Sequence, residues 1–123
     1  MIKPLKITYA AAHNNPVIIK NNELIQLPAD KMPIGKGEKL DKFSLHTIEA
    51  SNNDMIYFFT DGYVDQFGGE HGKKFKYKQL QELLISINSQ PLDNQKQTLY
   101  SSFVQWQGNL EQIDDVCIIG IRL

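Results

Sequence analysis

Two short apolar runs, Met55-Ile56-Tyr57-Phe58-Phe59 and Val116-Cys117-Ile118-Ile119-Gly120-Ile121, constrain this chain more than any other feature. Neither alternates polar with apolar residues, and both are rich in β-branched or aromatic side chains. Runs of that kind are expected as strands covered on both faces. Each is flanked by acid: Thr60-Asp61-Gly62 follows the first, and Asp114-Asp115 precedes the second. Helical periodicity fills the interval. Tyr77, Leu80, Leu84 and Ile87 recur at spacings of three and four, and Leu92, Leu99, Phe103 and Trp106 form a second stripe. Ser89-Gln90-Pro91 separates the two helices, because proline fits a first turn but breaks an interior. Gly108 is expected to terminate the second helix.

The N-terminal part reads as strands. Residues 5–12 are β-compatible and stop at the turn-forming cluster His13-Asn14-Asn15-Pro16. Residues 17–20 and 23–27 flank Asn21-Asn22, and asparagine tolerates the positive φ of a two-residue hairpin turn. Residues 28–38, with two prolines and two glycines, read as an irregular connection, and residues 43–48 as a partly exposed strand. Strands, then helices, then one last strand is not the alternation of a doubly wound fold. It predicts an α+β class, a mostly antiparallel β-sheet packed against α-helices.

At 123 residues, with no linker or repeat, the chain is expected to form a single domain over residues 1–123. A formal net charge of −1 argues against a nucleic-acid partner, since phosphate neutralisation needs a basic face. One cysteine makes no intramolecular disulfide, and no apolar run reaches the roughly 18 residues of a membrane span. Met1-Ile2-Lys3-Pro4 is not the start of a signal peptide, so a cytoplasmic setting is expected.

Asp61, Asp114 and Asp115 stand out by position. If the two apolar strands are antiparallel neighbours, about 4.8 Å apart, the end of one lies beside the start of the other and the carboxylates converge. If they are parallel, the acids sit at opposite ends. Converged carboxylates repel one another and are costly to desolvate unless a cation compensates. A sheet-edge cluster of this kind suits Mg²⁺ or Mn²⁺, hard ions that take carboxylate and water oxygens. Gly62 would let backbone approach such an ion closely. The plainer alternative is that Asp-Gly is a common turn dipeptide and Asp before a strand a common loop residue.

Four segments carry a resemblance to a known family. Thr60-Asp61-Gly62-Tyr63-Val64-Asp65-Gln66 resembles the T-D-G-[VF]-x-[DE] segment of the metal-dependent serine/threonine phosphatases. These are the type 2C, or PPM, family, here its bacterial SpoIIE/RsbU-like branch. The terminal Asp114-Asp115-Val116-Cys117-Ile118 is similar to that branch's closing D-D-[ILMV]-T-[LV] strand, with Cys117 at the Thr position. The segment Tyr9-Ala10-Ala11-Ala12-His13-Asn14-Asn15-Pro16 resembles its Y-A-N-A-G-H-N-P segment, with Ala12 at the glycine, and Met32-Pro33-Ile34-Gly35 its L-P-L-G loop. All four occur in the family's order. Nothing here resembles the family's upstream acidic strand and D-x-x-G-H-G segment, so the chain resembles the C-terminal portion of a partial PPM-type αββα sandwich.

The resemblance implies that Asp61 and Asp114 are metal ligands, with Gly62 and Asp115 as neighbours of the metal site. It implies Mg²⁺ or Mn²⁺ as cofactor and hydrolysis of a phosphoserine or phosphothreonine ester by a water activated between two cations, with no protein nucleophile. The implied partner is a bacterial regulatory phosphoprotein such as an anti-anti-sigma factor. This chain alone lacks the upstream metal-binding half. A different class of reading is a non-catalytic protein-interaction module retaining the phosphatase scaffold. A truncated sandwich would leave apolar faces uncovered, which favours self-association.

Other residues carry further expectations. Gly35-Lys36-Gly37 reads as a surface turn, because the P-loop pattern is absent. His13 is expected either to hydrogen-bond its loop or to touch substrate. Lys73 and Lys74, in a flexible loop beginning at Gly68-Gly69, are expected either to be solvated or to attract a phosphorylated protein. His46 and His71 are expected at the surface, and Cys117 and Trp106 in the core.

Overall fold

The computed structural model describes residues 5–30 and 44–123. The expectations for Met32-Pro33-Ile34-Gly35, Gly35-Lys36-Gly37 and Phe43 lie outside the described residues. The elements run β1 (Leu5–Tyr9), β2 (Val17–Lys20), β3 (Glu23–Gln26), β4 (His46–Ala50), β5 (Met55–Phe59), β6 (Phe67–Gly68), β7 (Lys73–Lys74), α1 (Tyr77–Ile87), α2 (Leu92–Gln107) and β8 (Ile118–Arg122). Antiparallel sheets with two helices make an α+β fold, as the order of elements in the sequence implies. Two compact units share the chain: Met1–Phe58 with Ile119–Leu123, and Phe59–Ile118.

In the first unit β1 pairs antiparallel with β4, while β2 lies between β3 and β5 in a four-stranded sheet ordered β3-β2-β5-β8. The β2–β3 connection is the two-residue turn anticipated, with Asn21 at φ 49° and Asn22 at φ 64°. Positive φ at both positions matches the twist of the flanking strands. Tyr9, Ile18, Leu27, Ala50 and Ile56 form one core, with Ile7, Ile48 and Phe58 packed against it, so both sheets contribute to a single apolar interior. Tyr9 donates its hydroxyl to the Pro28 carbonyl at 2.9 Å, satisfying the polar end of a buried ring. Lys20 Nζ lies 3.1 Å from the buried carboxylate of Asp54 and donates to the Glu49 carbonyl at 2.9 Å. This tie joins β2 to the β4–β5 turn.

Met55, Ile56 and Tyr57 are fully buried, as their unalternating pattern requires. The companion run behaves otherwise. β8 begins only at Ile118 and occupies the last position in its sheet; Ile119 is 52% and Ile121 44% exposed. Ile119 and Ile121, two residues apart, share one face of the strand, and their exposure corrects the expectation of two covered faces. Cys117 precedes the strand and is exposed, which corrects its placement in the core.

His46 is corrected in the opposite sense. The antiparallel register sets it opposite Tyr9, and the two rings stack with centroids 5.2 Å apart. Its Nε2 is buried rather than solvent-facing.

In the second unit α1 buries Leu80, Leu84 and Ile87, the face the spacing indicated. Pro91 stands at the N-cap of α2, and Gly108, at φ 54°, ends it with its N–H donated to the Val104 carbonyl at 3.1 Å. Within α2, Phe103 is buried but Leu92 is 47% exposed. Gln95 is buried instead, donating Nε2 to the carbonyls of Asn88 (3.2 Å) and Gln90 (2.9 Å). Both carbonyls belong to the connection that follows α1, and a polar side chain takes the interior position at the start of α2 to donate to them. Trp106 is half-buried, its ring edge-on to Phe75 at 5.4 Å.

Candidate metal centre

The geometry of this site begins with the direction of two strands. At one end of the β5–β8 pair, Leu123 donates its N–H to the Asp54 carbonyl at 2.9 Å; at the other, Thr60 donates its N–H to the Cys117 carbonyl at 3.0 Å. Residue numbers rise on one strand as they fall on the other, so the pair is antiparallel. Of the two arrangements the sequence left open, this is the one that brings the segment after β5 beside the segment before β8.

The junction lies within the second unit and is closely fitted. Thr60 Oγ1 donates to the Asp115 carbonyl at 2.9 Å and accepts the Cys117 N–H at 3.0 Å. One hydroxyl therefore extends the ladder past the last regular residue of β5. Gly62 is buried against the same peptide: a Cβ there would stand 2.7 Å from the Asp115 carbonyl carbon and 3.0 Å from Val116 Cγ2. Only a residue without a side chain permits that approach. Past Gly62 the chain makes a helical turn, with Asp65 donating its N–H to the Asp61 carbonyl at 2.9 Å. Tyr63 anchors this turn by donating its hydroxyl to the Leu99 carbonyl of α2 at 2.8 Å, and burial pushes its phenol well above the ordinary tyrosine range.

Asp61, Asp114 and Asp115 are all solvent-exposed, and none has a salt-bridge partner among the described residues. Asp114 is shaped locally: its Oδ1 accepts the Asp115 N–H at 2.8 Å, and its carbonyl accepts Gln112 Nε2 at 2.9 Å. Among the described residues no group of three or more His, Cys, Asp or Glu side chains is gathered closely enough to hold a metal ion. What the fold brings together is the Thr60-Asp61-Gly62 backbone and the Asp115–Cys117 backbone, with exposed carboxylates on both segments.

The remaining sequence candidates sit elsewhere. His13 belongs to the first unit, exposed at φ 60°, with its N–H donated to the Asp30 carbonyl at 2.6 Å. Lys73 and Lys74 correct the expectation of a loop: they form β7, paired with β6 across a turn in which Gly69 and Gly72 take positive φ. Lys74 Nζ lies 3.6 Å from Asp65 Oδ1 and 5.8 Å above the Phe67 ring, while Lys73 is exposed. His71 is exposed in that turn, as expected.

Two structural residues escaped the sequence reading. Thr60 gave no signal beyond its place in the Thr-Asp-Gly string. Gln66, fully buried, donates Nε2 to the Phe67 carbonyl (3.0 Å) and to the Glu111 carbonyl (2.8 Å). Its own carbonyl accepts Trp106 Nε1 at 2.9 Å and the Phe75 N–H at 3.0 Å. A lone glutamine carries no pattern that distinguishes such a role from an exposed surface residue.

Solved structures share this architecture. The SiaA PP2C domain of Pseudomonas aeruginosa superposes with a TM-score of 0.85 at 27% identity, over 96% of this chain and 46% of that one. A SpoIIE structure from Bacillus subtilis, the PP2C phosphatase domain with a fragment of its regulatory domain, matches with a TM-score of 0.72 at 15% identity, covering 96% of this chain and 34% of that one. A Bacillus subtilis SpoIIE phosphatase domain presoaked with Mn matches with a TM-score of 0.64 at 12% identity, covering 98% and 56%. The chain thus spans less than half the length of the SiaA domain it matches. No curated protein matches it. The family model described as Stage II sporulation protein E (SpoIIE) matches residues 4–123, nearly the whole length, and the chain belongs to that family.

Proposed function

We propose that this chain supplies the Asp61 and Asp114 part of the metal centre of a Mg²⁺- or Mn²⁺-dependent serine/threonine protein phosphatase. The substrate in this reading is a bacterial regulatory phosphoprotein, an anti-anti-sigma factor being the type the resemblance implies. Family membership and the PP2C-type fold support the reaction class. The observation that carries the site is the antiparallel junction at which Thr60 Oγ1 meets the Asp115 carbonyl at 2.9 Å, with a carboxylate beside each partner.

The residues present fit a hard divalent cation. Both candidate ligands are carboxylates, both are exposed, and neither is neutralised by a lysine or arginine among the described residues. Gly62 leaves the space in which a Cβ would collide with the Asp115 peptide, keeping the two segments close. When bound, such a cation acidifies water and offsets the charge of the transferring phosphoryl group. This chain's own residues hold and orient. Asp61 and Asp114 offer oxygens, Asp115 stands beside them as a hydrogen-bond acceptor, and Thr60 fixes the spacing of the backbones that carry them. His13, Lys73 and Lys74 remain proposals for substrate contact. Lys73, exposed in β7, is the better placed to attract a phosphoprotein, because the Lys74 ammonium already faces Asp65.

Calorimetric titration of Mn²⁺ into the chain and into Asp61→Asn and Asp114→Asn variants tests this reading. Binding by the wild-type chain that is lost in both variants is expected. Absence of wild-type binding would overturn the metal role and favour a protein-interaction module on the same scaffold. Turnover of p-nitrophenyl phosphate with Mn²⁺ then shows whether these 123 residues suffice for chemistry.

A further inference from the structure

We propose that Gln66 is a positioning residue for Asp114. Its buried amide fixes the segment that presents this carboxylate, and the role in cation binding rests on the metal-site reading above. The segment in question, residues 111–117, contains no helix or strand, and residues 111–115 are all exposed. Segments of that kind open at low free energy unless something outside them holds them. Two side chains on the Asp61 side do so. Thr60 grips the far end through the Asp115 carbonyl (2.9 Å) and the Cys117 N–H (3.0 Å). Gln66 grips the near end through the Glu111 carbonyl (2.8 Å). Asp114 lies between the two grips, and Asp61 lies between Thr60 and Gln66.

Gln66 is built for this task. Both bonds from its side chain go to carbonyl oxygens, which only the NH₂ end can serve, so the amide orientation is fixed. The side chain is wholly buried, and Oε1 has no partner among the described residues. An unpaired buried oxygen is costly, and an apolar side chain of equal volume would avoid that cost. The donated bonds are what such a side chain would lose, and the bond to Glu111 is the one that reaches the Asp114 segment. The backbone of Gln66 is meanwhile secured by Trp106 Nε1 and the Phe75 N–H, so the grip is anchored to α2 and to the residue that follows β7.

Hydrogen exchange read by mass spectrometry on the full chain, together with Mn²⁺ calorimetry, tests the proposal. In Gln66→Met, which keeps volume but not donors, amide exchange in residues 111–117 should accelerate about tenfold while α2 is unchanged. Mn²⁺ affinity should fall roughly 10–100-fold, the usual effect of removing a group that orients a ligand. Asp61→Asn should abolish Mn²⁺ binding without altering exchange in 111–117, which separates a ligand from a positioning residue. If Gln66→Met does not fold, Gln66→Asn, whose shorter amide falls short of Glu111, is read in the same way. Unchanged exchange in 111–117, or faster exchange with unchanged Mn²⁺ affinity, would overturn the positioning role. A wild-type chain that binds no Mn²⁺ would overturn the metal-site reading and with it the effect on affinity, while exchange still decides whether Gln66 fixes the segment.

Discussion

Gly62 packs against the carbonyl of Asp115 so closely that a Cβ on the glycine would stand 2.7 Å from the carbonyl carbon. Backbone meets backbone, with no flexible side-chain tip to yield. The substitution Gly62→Ala therefore has to push apart the segments that carry Asp61 and Asp114. It is expected to lower stability by about 1–3 kcal/mol, the range for forcing a methyl into filled space. Thermal unfolding followed by circular dichroism should show the midpoint falling by several degrees; an unchanged midpoint would mean the two segments are not held in this contact.

Mn²⁺ should stabilise the folded chain through the exposed acids. A ligand that binds only the folded state at a concentration 100 times its Kd adds about 2.7 kcal/mol. The wild-type midpoint is thus expected to rise with added Mn²⁺, and those of Asp61→Asn and Asp114→Asn to stay flat. Without the ion both variants should match or slightly exceed the wild type, since neither exposed carboxylate has a salt-bridge partner among the described residues. A variant that still shifts with Mn²⁺ would remove that carboxylate from the ligand set.

Alkaline pH should unfold the chain early. Burial raises the phenols of Tyr63 and Tyr57, the latter to about 12 with Arg122 opposing the shift, from the ordinary value of 10.0. Unfolded tyrosines lose their protons near pH 10 while these two keep theirs, so the unfolded state binds fewer protons in that range. Stability is fully present below about pH 10 and declines as pH rises above it. Urea midpoints measured from pH 8 to pH 11 should trace this fall. Tyr63→Phe should cost about 1 kcal/mol at pH 8, through the lost bond to the Leu99 carbonyl, yet lose less between pH 8 and 11 than the wild type. An equally steep loss in that variant would assign the alkaline effect to other groups.

The β2–β3 turn offers an independent check on the first unit. Asn21 sits at φ 49°, a conformation that an ordinary side chain adopts at a cost of about 1–2 kcal/mol. Asn21→Ala should destabilise by about 1 kcal/mol, and Asn21→Gly should be tolerated. Equal stability of the two variants in urea would contradict the left-handed turn.

Local chemistry explains what was legible in advance. Asn21-Asn22, Pro91, Gly108 and the stripe Leu80, Leu84, Ile87 each encode their structure within a few residues, and each is found as expected. The Met55–Phe59 run likewise marks a strand whose first three residues are covered on both faces. Asp61 and the Asp114-Asp115 pair stand out by their place at the ends of apolar runs, while the ligand role of Asp114 rather than Asp115 is what the family resemblance implies.

Neighbours remote in sequence decided the rest. Val116–Ile121 has the letters of a strand covered on both faces, yet among the described residues nothing covers Ile119 and Ile121 fully, and Cys117 precedes the strand and is exposed. His46 became half-buried because Tyr9, from a distant strand, lies opposite it. Gln66 and Gln95 are buried with their amides donating to the carbonyls of other segments. Sequence alone set the helices, the turns and the acidic positions, since propensity, capping and periodicity act over a few residues. Tertiary structure alone set strand direction at β5–β8, edge against centre, and which polar groups are buried. Those depend on hydrogen bonds and contacts between segments tens of residues apart, which no local pattern records.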